Sequence, residues 1–136
     1  MAELYRRTHN VSHFQIDLVS KGALLTEHDV GGTLVSFAPG HINVATAWDE
    51  NGTVPPHVDI GISGYEPLPA VGLAGLIPVA AGFLDVGPDG VEVGNVITSD
   101  VSVVVLPKGR YAITVFLNTL EPMAARRVHF HLRTTP

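Results

Sequence analysis

Cysteine is absent from all 136 residues. The chain therefore has no disulfide framework and no thiolate nucleophile. Lysine and arginine are absent from the whole stretch 22–107, which nonetheless holds ten acids: Glu27, Asp29, Asp49, Glu50, Asp59, Glu66, Asp85, Asp89, Glu92 and Asp100. All eight basic residues sit toward the two ends, accompanied only by Glu3, Asp17 and Glu121, and the net charge is −5. An acidic middle repels phosphate, so nucleic acid is not an expected partner. No unbroken apolar run is long enough to span a bilayer as a helix. The nearest approach, 68–84, is interrupted by Pro69 and Pro78 and by Gly72, Gly75 and Gly82. Met1 to Arg7 has no apolar core behind its charges and does not read as a signal peptide. A soluble, cytoplasmic protein without membrane contact is the expectation.

What the chain does have is apolar material in short pieces. Hydrophobic residues make up 46% and charged residues only 15%, enough for a packed core and too apolar for disorder. The length fits one domain over 1–136, with 1–12 as a polar lead-in. Val101 to Leu117 is the richest stretch in β-branched and aromatic residues, broken once by Pro107-Lys108-Gly109. It reads as two strands joined by a tight turn. Alternation with a period of two recurs elsewhere. Phe14, Ile16 and Leu18 alternate with Gln15 and Asp17, and Thr33 to Phe37 is a short strand before Ala38-Pro39-Gly40. Ile42 and Val44 share a face, Asp49 to Gly52 carries an Asn-Gly hairpin signal, and Val58 to Ile62 alternates again. Val79 to Val86 and Val91 to Val93 flank a turn at Gly87 to Gly90. In Arg127 to Arg133, Val128, Phe130 and Leu132 point inward while the arginines and histidines face out. Eight or nine short strands without a long helical stripe predict an all-β chain, an antiparallel β-sandwich. A jelly roll or a β-barrel is the alternative. Tyr65 to Pro78 is apolar yet full of proline and glycine, a loop that either covers an end of the core or meets a partner.

Histidine is the one enriched reactive residue type, with seven copies. His129 and His131 stand two apart on a strand, so both rings project from one face, a spacing that suits two metal ligands. A third ligand would come from His13, His41, His57, Asp59 or Glu92, if neighbouring strands bring one of them close. The simpler reading of a pair flanked by Arg127 and Arg133 is a solvated strand face. Catalytic signatures fail: Gly61-Ile62-Ser63-Gly64-Tyr65 places its second glycine one residue too early for a nucleophile elbow, and no phosphate-binding glycine loop occurs. Asp49 and Glu50 are adjacent acids in a turn, where they face water rather than sharing an enclosed proton. Together with Asp59 and Glu66 they are candidate contacts to a basic protein partner. No cofactor is expected.

Three pieces carry a resemblance to a family. They are Pro78-Val79-Ala80-Ala81-Gly82-Phe83-Leu84-Asp85-Val86, then Gly90-Val91-Glu92-Val93, then Leu106-Pro107-Lys108-Gly109-Arg110-Tyr111-Ala112-Ile113-Thr114-Val115. In this order they resemble small bacterial β-sandwich proteins of the competence protein J (nuclease inhibitor) type. The resemblance covers roughly a third of the chain. It implies a non-enzymatic inhibitor or immunity-type binding protein and transfers no functional residues. The alternatives from the residues themselves are a subunit that self-associates through the apolar loop or an edge strand, and a metal-dependent enzyme built on His129 and His131.

Overall fold

The computed structural model describes residues 2–11, 15–23, 34–47, 57–65, 73, 75–95, 100–121 and 124–135. Ten strands follow one another: β1 (Ala2–Asn10), β2 (Gln15–Ser20), β3 (Val35–Ala38), β4 (His41–Ala45), β5 (His57–Gly64), β6 (Ile77–Val86), β7 (Val91–Asn95), β8 (Asp100–Val104), β9 (Gly109–Leu117) and β10 (Arg127–Thr134). Among the described residues there is no helix. Two five-stranded sheets result, ordered β1-β5-β10-β9-β6 (sheet A) and β3-β4-β2-β7-β8 (sheet B). The expected all-β sandwich is what forms. Pairing is antiparallel throughout except between β5 and β10, which run parallel.

The period-two pattern explains the core. Val58, Ile60 and Ile62 of β5, Val128, Phe130 and Leu132 of β10, and Tyr111, Ile113, Val115 and Leu117 of β9 project from sheet A. They meet Ile16 and Leu18 of β2, Ile42 and Val44 of β4, and Val91 and Val93 of β7 from sheet B. Each such side chain, fully buried, stabilises the fold by roughly 1.5–3 kcal/mol before entropy is counted.

Three expectations need correction. Residues 1–12 are not a lead-in: Ala2 to Asn10 is an edge strand paired with β5 from Ala2↔Gly64 to Asn10↔His57. Its alternation is interrupted by an irregularity between Glu3 and Tyr5, and an edge strand tolerates charges such as Arg6 and Arg7. Val101 to Leu117 is not a hairpin: β8 pairs with β7 in sheet B, whereas β9 pairs with β10 and β6 in sheet A. The connection is an arch that passes from one sheet to the other. Leu106 is buried at its centre while Val105 is 89% exposed, and the Tyr111 hydroxyl donates to the Pro107 carbonyl at 2.6 Å. β6 and β7 are likewise joined by an arch rather than a hairpin, because they too belong to different sheets. Gly90 makes that arch possible: its φ is 81°, and a Cβ there would lie 2.5 Å from the Val104 carbonyl oxygen. The loop at 65–78 and the turn at 49–52 fall largely outside the described residues.

The sandwich has two open sides, and each is closed differently. On one side β1 meets β8 through polar groups. The Tyr5 hydroxyl donates to Ser102 Oγ at 2.9 Å and lies 2.6 Å from Nε2 of the buried His9. Arg7 reaches Ser102 Oγ at 3.0 Å and Asp100 at 3.6 Å. Burial lowers the His9 pKa, and Asp100 counters part of that effect. On the other side β6 faces the β3–β4 turn, joined to it by the Asp85 N–H donating to the Pro39 carbonyl at 2.7 Å.

Candidate functional site

His129 and His131 sit on β10, the central strand of sheet A, and both project from the face opposite the core. The sequence reading of a solvated face is wrong here, because both rings are buried. The pairing register supplies the reason. His129 lies between Gly61 of β5 and Phe116 of β9; His131 lies between Ser63 and Thr114. Phe116 packs edge-on against the His129 ring, with centroids 6.3 Å apart. Gly61 leaves the space that His129 fills: a Cβ there would lie 2.8 Å from the imidazole Nδ1.

The two rings converge on one atom. Ser63 Oγ is 2.7 Å from His129 Nε2 and 2.8 Å from His131 Nδ1, and Ser63 is itself buried. A hydroxyl has one proton to give. It therefore donates to one ring nitrogen and accepts an N–H from the other, an arrangement that suits two neutral imidazoles. His129 is held neutral: burial first, then the charges of Arg6 and His131, push its pKa down to about 4. Arg6 comes from β1, where it is paired with Glu3 and, at 3.2 Å, with Asp59.

This cluster contains a serine and an imidazole at nucleophile–base distance. Among the described residues the rest of the apparatus is not gathered beside it. Nδ1 of His129 lies over Gly61 rather than on an orienting carboxylate, and the whole set is enclosed. Among the described residues no group of three or more His, Asp or Glu gathers at a common point. Of the other suggested ligands, His41 and Glu92 belong to sheet B, and His57 is exposed at the start of β5, opposite Asn10. Asp59 is engaged with Arg6, and His13 lies outside the described residues. A metal on His129 and His131 would take its third ligand from beyond the described chain. Ser63 was missed because its partners are 66 and 68 residues away, farther than any local motif reaches.

Sheet B carries a second polar cluster on its outward face. Asp17 Oδ1 accepts from His41 Nε2 at 2.6 Å and from Asn43 Nδ2 at 2.8 Å, and all three residues are buried. Among the described residues, Asp17 Oδ2 and Asn43 Oδ1 have no hydrogen-bond partner.

Charge is divided between the sheets. The strands of sheet B contain Asp17, Glu92 and Asp100 and no lysine or arginine. Those of sheet A contain Arg6, Arg7, Arg110, Arg127 and Arg133. Of the suggested partner contacts, Asp59 lies on sheet A beside Arg6, so its charge is already countered. Asp49, Glu50 and Glu66 lie outside the described residues. No helix among the described residues is long and apolar enough to cross a membrane.

Two facing β-sheets with internally paired polar clusters on their outward sides define the class: an all-β sandwich. No protein-family profile and no curated protein match the chain. Among solved structures, its fold is similar to the crystal structure of ComJ, inhibitor of the DNA degrading activity of NucA, from Bacillus subtilis. The TM-score is 0.66 and the identity 14%, over 98% of each chain. At that identity the likeness establishes the fold.

Proposed function

We propose that this chain is a non-enzymatic protein-binding module, an inhibitor of a basic protein such as a nuclease. The observation that carries the reading is the full-length likeness in fold to a nuclease inhibitor. Two features of this chain support it. Ten acids and no base lie between residues 22 and 107, a distribution that steers a basic partner toward the protein. His129 and His131 are enclosed, and Nδ1 of His129 lies over Gly61. Asp49, Glu50 and Glu66 are the acids assigned to the contact, with Asp59 contributing once its pairing with Arg6 is exchanged.

The test uses the immobilised full-length chain in native lysate from its own source. A basic protein is expected to bind at low salt and elute at high salt. Its DNA-degrading activity, assayed on plasmid, is expected to fall when free chain is added. The quadruple variant Asp49→Asn, Glu50→Gln, Asp59→Asn, Glu66→Gln should lose the inhibition while keeping the wild-type melting curve. A bound set that does not change with salt, or a partner whose nuclease activity is untouched, contradicts the reading.

A further inference from the structure

β6 forms one edge of sheet A and bonds to β9 along one side only. The Asp85 N–H points the other way, to Pro39. Antiparallel ladders alternate, so Ala81 and Phe83 also direct their N–H and C=O groups to the open side. Across the irregularity between Pro78 and Ala80 the alternation shifts by one. That puts Pro78, which has no N–H to offer, on the open side as well. The open edge is thus a short window of four backbone groups. It is bounded by a residue without a donor and by one whose donor is committed, and its midpoint is Gly82.

This window lacks the devices that usually protect an edge. Ile77 to Leu84 contains no charged or hydrogen-bonding side chain. Ile77 is exposed and Phe83 is 50% exposed. The other three sheet edges differ: β1 carries Glu3, Arg6 and Arg7, β8 is engaged by Tyr5 and Arg7, and β3 has only four residues. A groove of about 360 Å³ lies beside the window, walled by Phe37, Pro39, Phe83 and Arg110, so beyond the Asp85–Pro39 bond the described residues leave this edge open.

We propose that the window pairs with the same window of a second copy, antiparallel about a two-fold axis through Gly82. The symmetry satisfies all four groups: Ala81 exchanges both its bonds with Phe83 of the second copy, and Phe83 with Ala81. Side chains on the outward face then meet large against small, each Phe83 beside an Ala81. Gly82 falls at the close, non-hydrogen-bonded pair on the axis, where strands approach most tightly. Its inward side is already filled by the Phe37 ring, which a Cβ at Gly82 would meet at 2.6 Å. Among the described residues, the charges beside the window cancel within each copy, since Asp85 lies 3.8 Å from Arg110, whose guanidinium stacks on Phe83 at 4.5 Å. Two chains of net charge −5 therefore meet where no described residue presents an unpaired charge.

This inference does not depend on the inhibitor reading. Light scattering on the full chain across a dilution series is expected to show twice the 14.4 kDa monomer mass at high concentration. Ala81→Lys and Phe83→Lys, each placing a charge in a pair that flanks the axis, should return it to monomer. Val105→Lys, at a still more exposed apolar site on the β8–β9 arch, should leave the dimer intact. Hydrogen exchange on the unmodified protein provides a readout free of folding effects. The Ala81 and Phe83 amides should exchange slowly when concentrated and quickly when dilute. A strict monomer at every concentration, a dimer that survives both lysine variants, or amides that ignore dilution would overturn the proposal.

Discussion

The outward faces of the two sheets each hide a polar cluster, and the two are built on opposite plans. On sheet A, Ser63 lies between His129 and His131 and is within hydrogen-bond distance of both rings. On sheet B, one oxygen of Asp17 serves both His41 and Asn43 while its other oxygen has no partner among the described residues. The sheet A cluster is inexpensive to bury because one hydroxyl can donate to one imidazole and accept from the other, and His129 is held neutral. The sheet B cluster encloses a carboxylate, whose desolvation is offset, among the described residues, by the two donors on Oδ1. Burial on the outside of a sandwich is therefore not one thing, and the two faces should fail differently.

The largest effect is expected at Asp17. Asp17→Ala removes the acceptor that His41 and Asn43 share and should cost roughly 3–5 kcal/mol of unfolding free energy, measured by urea denaturation. A loss no larger than that of a surface change would make the sheet B cluster as dispensable as an exposed pair.

Next is acid sensitivity on sheet A. The folded-state pKa of His129 is depressed to about 4 from an unfolded value of 6.5. As pH falls, the unfolded chain takes up this proton first. The contribution is therefore complete above about 6.5 and is lost as pH falls through about 4, at up to ~1.4 kcal/mol per pH unit. His129→Gln should flatten the stability profile in that window. His9, whose pKa is also lowered by burial, adds to the slope in the same direction and remains in the variant.

Ser63→Ala should cost about 1–3 kcal/mol, because both ring nitrogens lose their common partner. The double variant Ser63→Ala, His131→Phe should recover part of that loss, since fewer polar atoms are then left unpaired. Arg6→Ala is expected to change stability by less than ~1 kcal/mol, since its pairs with Glu3 and Asp59 are half exposed.

How much of this was legible in the sequence differs by element. Val58 to Ile62, Tyr111 to Leu117 and Arg127 to Arg133 gave both their strands and their inward faces, because alternation reports which side is buried. It does not report which sheet a strand joins. Val101 to Val104 and Tyr111 to Leu117 are apolar on both faces and separated by a short turn, so a hairpin and an arch have the same pattern. Leu106, buried inside the arch, marks the difference only once the structure is known. β1 was hidden by its charges and by the irregularity after Glu3. The outward histidines were placed on the right face, yet exposure was assumed from polarity. What buries them is long-range: Gly61 makes the room, Ser63 supplies the bond and Phe116 the wall.

The account rests on His129 being an enclosed, neutral part of the scaffold rather than a reactive or solvated group. The most direct measurement is the NMR titration of its imidazole carbon proton from neutral pH downward in the folded protein. A midpoint near 4 is predicted. A midpoint near 6.5, the ordinary value of a histidine in water, would contradict it.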